Sequence, residues 1–322
     1  MSPKLSVCLE IEADLLAAAT GEAEPPAARR VERHVGRCVP CREEFERYRA
    51  IDRLVGELRG GSPAPADAAL ARRRLEARLA ALRGRLLRYR VFPSPLGRIL
   101  IACSDRGVSL VEYLGSGTGL RASRLSRIAG VEAQEDGAAI EAFCGELLEY
   151  LEGKRTRFVW PLDLRLVRSD FHRDVLLATS KIPYGAVVSY TGIAWKVGKP
   201  AAARAVAQAL RWNPLPIVIP CHRVVGSSDS LTGYAGKRVD LKQRLLTAEG
   251  IPIAKAGRET QIVRDAMYVR HPGDDGYCLP TCRWLASLTP VRLTLFGLRE
   301  RAEAAGLRPC RDCRPDLHPI SR

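Results

Sequence analysis

The stretch VSYTGIAWKVGKPAAARAVAQALRWNPLPIVIPCHRVV, residues 188–225, decides how the centre of this chain folds. YTGIAWKVG and KPAAARAVAQALRWN carry apolar residues at helical spacing around a Gly-Lys-Pro break, which predicts helix, turn, helix. Such a pair is plain packing in most proteins, and only its neighbours can make it a DNA reader. After it, the apolar run Pro216-Ile-Val-Ile-Pro220 ends abruptly in Cys221-His222-Arg223. A run of this kind belongs in a core, where a free cysteine is as a rule only a small hydrophobe. A thiolate nucleophile needs more: a proton acceptor within reach, a group that orients the acceptor, and little water.

Upstream, the period of the pattern changes from helical to alternating. YRVFPSPLGRILIACSDRGVSLVEYL, from Tyr89, reads as two or three strands punctuated by Pro-Leu-Gly and Asp-Arg-Gly. Helical patterns return at 137–151 and in FHRDVLLATSKI, with Pro183-Tyr184-Gly185 as a turn. Cys103 and Cys144 fall inside the strand and helix patterns and are expected in the core. At the N-terminal end, residues 6–19 and 41–59 read as helices joined through Gly21 and Pro25-Pro26. GGSPAPAD at 60–67 reads as a linker, and ALARRRLEARLAALRGRLL after it as a basic helix.

With 322 residues, 46% of them hydrophobic, the chain can bury several cores. Its formal net charge is +15, arginine far outnumbers lysine, and the excess lies mainly in residues 61–250. That balance favours a polyanion such as nucleic acid over an acidic small molecule. No apolar run approaches the roughly 20 residues of a membrane span, and the first residues lack the form of a secretory signal, so a cytoplasmic protein is expected. In a reducing compartment the ten cysteines do not suggest a disulfide framework.

Their spacing suggests metal instead. Cys278-x3-Cys282 and Cys310-x2-Cys313, 27 residues apart, offer four thiolates to one tetrahedral zinc ion. His34-x3-Cys38-x2-Cys41 offers three ligands at a helix start, and Cys8 can complete a second tetrahedron.

Taken together, PCHRVV at 220–225, the helix-turn-helix at 188–210, RWNPLP at 211–216, GYAG at 233–236 and LLTAEG at 245–250 resemble the O6-alkylguanine-DNA alkyltransferases, the methylated-DNA-protein-cysteine methyltransferases, over residues 88–250. The resemblance implies irreversible transfer of an alkyl group from guanine O6 to Cys221, which consumes the protein. It implies that His222 takes the thiol proton through a water, that Glu249 orients His222, that Tyr234 donates to the departing guanine, and that Asn213 holds the turn shaping the channel. It also implies that Arg204 fills the gap left by the rotated base and Tyr190 crowds the neighbouring phosphate, with a helix of small alanines in the minor groove. Arg223 is expected to brace the site. Ala235 and Lys237 depart from the family's loop, and one extra residue precedes Glu249.

DGYCLPTC and AEAAGLRPCRDCRPD resemble the metal-binding domain of the Ada adaptive-response proteins over residues 264–317. That resemblance makes Cys278 a candidate second methyl acceptor, from methylphosphotriesters, beside the alternative of a structural zinc knob with some DNA affinity from Arg283, Arg308, Arg311 and Arg314. HVGRCVPCREEF, with Cys8, resembles the zinc-binding anti-sigma domain over residues 5–58, which implies a protein partner such as a sigma factor; the near-neutral charge of residues 1–60 fits a protein contact better than DNA.

The expected fold is multidomain α+β: a small α-helical zinc domain at 1–59, a linker and basic helix at 60–87, a β-rich, ribonuclease-H-like subdomain at 88–165, a helical helix-turn-helix catalytic domain at 166–254, and a small four-cysteine zinc domain at 255–322. Double-stranded DNA is the expected partner and zinc the expected metal, with no cofactor needed for the transfer itself. Two other functions compete: a lesion-binding protein, whose class lacks the cysteine that Cys221 supplies here, and a damage-responsive regulator acting through the zinc domains.

Overall fold

The computed structural model describes residues 6–60, 65–115, 123–128, 130–167, 169–234, 238–257, 259–287 and 292–320. Contacts divide the chain into two units, residues 1–79 and 80–322. Among the described residues, no helix is long and apolar enough to cross a membrane.

The first unit is helical: α1 (Ser6–Ala19), α2 (Pro25–Val35), α3 (Val39–Gly60) and α4 (Pro65–Arg85), the last running across the division. The connection expected between residues 19 and 41 is therefore itself a helix. Pro25 and Pro26 start it, because the first-turn N–H groups that proline lacks have no intrahelical partner anyway. Its Val31 packs with Cys8, Ile11, Leu15 and Cys41 into a small core, so the metal-type residues stand around the only apolar centre of this unit among the described residues. Pro65 to Asp67, expected as linker, form the first turn of α4; residues 61–64 lie outside the described residues.

The second unit opens with β1 (Leu86–Ser94), β2 (Gly97–Ser104) and β3 (Gly107–Gly115), an antiparallel meander, and β4 (Glu132–Glu135), which pairs parallel to β1. Period-2 alternation sorts β2: Leu100 and Ala102 face a cluster with Leu87, Tyr89 and Leu110, while Ile99, Ile101 and Cys103 face the main core. Gly107 is required at its turn, since a Cβ there would fall 2.0 Å from the Pro161 carbonyl oxygen and its φ is +136°. Helix α5 (Gly137–Leu151), capped by Asp136 accepting from Ala139 N at 3.1 Å, lays Ile140, Cys144, Leu147 and Tyr150 on the core. Cys103 and Cys144 are both buried, as expected.

Helix α6 (Asp170–Ser180) follows, then β5 (Ala186–Ser189), α7 (Tyr190–Lys196) and α8 (Ala203–Arg211). Ser189 caps α7 by accepting from Gly192 N at 2.9 Å, which fixes the entry into the helix-turn-helix. Beyond Cys221–Arg223, one turn of 3-10 helix, β6 (Val224–Val225) pairs parallel to β5, and α9 (Val239–Ala248) leads to Glu249. A hairpin of β7 (Ile253–Ala256) and β8 (Glu259–Ile262), then β9 (Tyr268–Arg270), β10 (Gly276–Tyr277), β11 (Thr294–Phe296), α10 (Arg299–Ala304) and β12 (Arg308–Pro309) complete the chain.

These last elements do not stand apart as a domain beginning at residue 255. The second large sheet runs β6-β5-β11-β9, so β11 pairs antiparallel with β5 of the catalytic half on one side and with β9 on the other. Tyr268, Tyr277, Phe296, Ala302 and Leu307 share one core with Val188, Leu215 and Cys221. The physical reason is the sheet edge: β5, all four of its residues buried, would otherwise leave an unpaired edge, and β11, with its three residues buried, covers it.

Candidate active site

Residues 213–221 form a tight loop rather than a strand. Asn213 Nδ2 donates to the Ile219 carbonyl at 2.9 Å and to Cys221 Sγ at 3.2 Å, while its Oδ1 accepts from Leu215 N at 2.9 Å. Ile217 is held at φ +75°, a conformation a β-branched residue adopts only when its surroundings impose it. Pro220 sits at φ −79°, ψ 65°, an inverse γ-turn closed by Cys221 N donating to Ile219 O at 2.8 Å. That bend brings Cys221, 8% exposed, to the wall of a cavity. Burial pushes its thiol up from the ordinary value, against the pull of the Asn213 hydrogen bond.

Behind the thiol, His222 Nε2 lies 2.7 Å from Glu249 Oε1. Glu249 is 1% exposed and fully engaged: Arg223 Nε donates to Oε2 at 2.8 Å, Arg223 Nη2 to Oε1 at 3.1 Å, Gly185 N to Oε2 at 3.1 Å, and the Tyr150 hydroxyl to Oε1. Burial pushes the carboxyl up, but Arg223 and His222 together overcome it and hold Glu249 at about 2. Burial pulls His222 below its ordinary value despite the raising effect of Glu249, so the imidazole is neutral at neutral pH. Its Nδ1 is buried with no protein partner among the described residues. A neutral ring with one nitrogen fixed on a carboxylate and the other free is a base oriented for use.

A cavity of about 310 Å³ opens in front of the thiol, lined among others by Tyr113, Asn213, Cys221, Tyr234 and Arg238. The Tyr234 hydroxyl meets that of Tyr113 at 2.9 Å, and burial raises both phenols, so both keep their protons. Residues 235–237, which include the departures Ala235 and Lys237 and half of GYAG, lie outside the described residues. Tyr190 opens α7 with its hydroxyl donating to Thr232 O at 3.4 Å, and Lys242 Nζ stands 5.8 Å from its ring centre. Arg204, in the first turn of α8 among small alanines, is exposed and does not line the cavity.

Residues 170–251 match the family described as 6-O-methylguanine DNA methyltransferase, DNA binding domain, and residues 87–164 match its ribonuclease-like domain. A methylated-DNA–protein-cysteine methyltransferase of Mycolicibacterium paratuberculosis is 39% identical over 169 residues, 51% of this chain and 93% of that protein. The chain belongs to the methylated-DNA–protein-cysteine methyltransferase family. The constitutive Bacillus subtilis member is 46% identical over 106 residues, 33% of this chain and 63% of the relative. A crystal structure of Mycobacterium tuberculosis OGT in complex with DNA is similar at 37% identity, over 50% of this chain and 92% of that one, with a TM-score of 0.44.

Within this methyltransferase half, the five residues expected at the site, Asn213, Cys221, His222, Tyr234 and Glu249, do converge, although residues 213 and 249 are far apart in sequence. Tyr113, Tyr150 and Lys242 belong to the same constellation and were not singled out in the sequence. Lys242 left a trace: it lies between Leu241 and Leu245 on the buried stripe of α9, where its Nζ donates to Val224 O at 2.6 Å and Thr232 O at 3.1 Å. Burial brings it down to about 8. Tyr113 and Tyr150 end ordinary apolar patterns and left none.

Both cysteine clusters lie outside the matched residues. Cys8, His34, Cys38 and Cys41 bring their ligand atoms within 4.8 Å of one another, as do Cys278, Cys282, Cys310 and Cys313. Zinc–sulfur bonds of about 2.3 Å at tetrahedral angles separate two sulfurs by roughly 3.8 Å, and Cys8 Sγ lies 3.9 Å from Cys38 Sγ. His34 Nε2 is buried without a hydrogen-bond partner among the described residues, as a ligand nitrogen would be. Leu279 N points at Cys313 Sγ at 3.4 Å, the kind of N–H to sulfur contact that suits a thiolate. Three of the arginines near the second cluster meet aspartates: Arg283 with Asp312 at 3.2 Å, Arg314 with Asp316 at 2.9 Å and Arg308 with Asp275 at 4.0 Å.

Proposed function

We propose that the family reaction, transfer of an alkyl group from guanine O6 in DNA to a cysteine of the protein, takes place in this chain at Cys221. The observation that carries this reading is the single buried arrangement of Asn213, Cys221, His222 and Glu249 beside the cavity. The thiol proton passes to the free Nδ1 of His222 through a water, and Glu249 stabilises the imidazolium that results. The sulfur attacks the alkyl carbon, the carbon–O6 bond breaks, and the electron pair stays on the guanine, whose charge the Tyr234 hydroxyl meets with a hydrogen bond. The thioether is stable, so each chain acts once.

A thiol this enclosed cannot reach a carbon inside a stacked duplex, so the base must turn out into the cavity. Exposed Arg204 at the head of α8, flanked by alanines, suits entry into the minor groove, and Tyr190 suits the phosphate beside the target. Zinc fits both cysteine clusters: Cys8, His34, Cys38 and Cys41 would hold one ion, and Cys278, Cys282, Cys310 and Cys313 another. There the metal would keep the thiols ionised and tie chain segments together. The first unit, with near-neutral charge and exposed Ile51 and Leu54 on α3, suits a protein contact such as a sigma factor better than DNA.

The test is a single-turnover assay with a duplex carrying labelled O6-methylguanine. Transfer should saturate at one methyl per chain and vanish in Cys221→Ala. Undiminished transfer by that variant would remove the proposal.

A further inference from the structure

Glu249 owes its position to more than α9. It sits at the end of that helix, followed by Gly250 at φ +84°, and its Oε2 accepts from Gly185 N. Both glycines are gripped from the C-terminal segment. Gly297 N donates to Gly185 O at 3.0 Å, and a Cβ at Gly297 would fall 2.2 Å from Gly250 O and 3.0 Å from Ile251 Cα. Conversely, a Cβ at Gly250 would meet Leu298 at 2.6 Å, and one at Gly185 would meet the Arg301 stem at 2.7 Å. The Arg301 guanidinium stands 4.6 Å from the ring centre of Tyr184, whose hydroxyl donates to Ala248 O at 3.1 Å and whose ring lies edge-on to Tyr150. Arg223, the partner of Glu249, stands 5.5 Å from the same ring.

The same segment is tied to the four-thiol cluster. Cys278 N donates to Val269 O at 2.8 Å, Val269 pairs with Leu295 in β11, and β11 ends one residue before Gly297. From α10, Glu303 accepts from the Tyr277 hydroxyl at 2.8 Å, and Tyr277 O accepts from Cys310 N at 3.0 Å.

We propose that Gly297 and Arg301 are positioning residues for alkyl transfer: the segment from β11 to α10, anchored at its far side by the four-thiol cluster, sets the backbone at Gly185 and Gly250 and so holds Glu249 on His222. This rests on Cys221 being the acceptor. A backbone fixed from outside the methyltransferase half makes the C-terminal cluster part of the reaction's machinery, although none of its cysteines touches the cavity. His222 is faced by Glu249 at the end of α9, Arg223 on its own turn, Tyr150 from α5, Lys242 from α9 and the Tyr234 ring, and of these Glu249 has as its next residue Gly250 and as its backbone donor Gly185, both packed against the segment.

The experiment compares full-length wild type with Gly297→Ala, Arg301→Ala and Arg301→Lys in single-turnover transfer, reading amplitude and rate constant separately across pH. An added methyl at Gly297 must push Gly250 aside, and a misplacement near 1 Å can cost about 100-fold in rate. Gly297→Ala and Arg301→Ala should therefore lower the rate constant by roughly 10-fold to 100-fold. Because Glu249 raises the His222 value, loosening it should also move the acid limb of the rate profile to lower pH. Arg301→Lys, which keeps the stem against Gly185, should recover most of the rate. A merely structural role would reduce the amplitude while leaving the rate constant and pH profile of the active fraction at wild-type values, and that result would overturn the proposal. If Gly297→Ala does not fold, the Arg301 pair decides alone. Wild type that leaves Cys221 unlabelled is a different failure, that of the acceptor assignment.

Discussion

Replacing Glu249 by Gln removes the one negative charge from a buried group in which Arg223, His222 and Tyr150 all converge on it. Two routes give the size of the effect. The carboxyl is depressed from 4.5 to about 2 in the folded protein, which at about 1.36 kcal/mol per unit amounts to roughly 3 kcal/mol of stability at neutral pH. Removing one partner of a buried ion pair costs about 3–5 kcal/mol by general experience, because the other charge is left without compensation. The sign follows from the depressed value: the contribution is complete above the unfolded value near 4.5 and is lost as pH falls through the folded value near 2. Urea unfolding of the second unit, followed by tryptophan fluorescence, should show Glu249→Gln destabilised by about 3 kcal/mol at pH 7, with the gap to wild type narrowing below pH 4.5. In Glu249→Leu/Arg223→Met, removal of both charges should restore part of the loss. A Glu249→Gln variant within about 1 kcal/mol of wild type at pH 7 would refute the reasoning.

Asn213→Ala removes the donor to Cys221 Sγ and the clamp on the loop that strains Ile217, so it should cost about 1–3 kcal/mol in urea unfolding and slow transfer as well. Tyr234→Phe should bind unmodified DNA as wild type does, while its single-turnover rate falls about 100-fold for want of a donor to the departing guanine. Metal analysis of purified protein should find two zinc ions per chain, falling to one in Cys38→Ser and to one in Cys310→Ser; no zinc in wild type would remove the metal reading. Mass spectrometry after exposure to DNA with methylphosphotriesters should leave Cys278 unmodified if it serves only as a ligand, and a methyl on Cys278 would make it the second acceptor.

Much of this was readable in the residues. The helix-turn-helix and Cys221-His222 lie within one continuous stretch, so local pattern was enough to place them. Helix α5 declared itself through its stripe of Ile140, Cys144 and Leu147, and the two cysteine clusters through spacing alone. What stayed hidden depends on contacts between distant segments. Helix α2 was masked by Pro25 and Pro26, which read as a break although they suit a helix start. Strand β4, Glu-Ala-Gln-Glu, has no apolar alternation and exists because β1 offers it a parallel edge. The C-terminal four-cysteine segment read as a separate domain because ligand spacing says nothing about β11, whose three buried residues are drawn into the sheet by β5. Tyr150 reaches Glu249 across 99 positions of sequence, a contact no window along the chain contains.

The central claim is that Cys221 is the residue that keeps the alkyl group. Peptide mass spectrometry of the full-length protein after one turnover with O6-methylguanine duplex tests it most directly. The expected result is one methyl group on the peptide containing Cys221, with restored guanine in the DNA. A repaired duplex with Cys221 unmodified, or with the methyl on another cysteine, would contradict it.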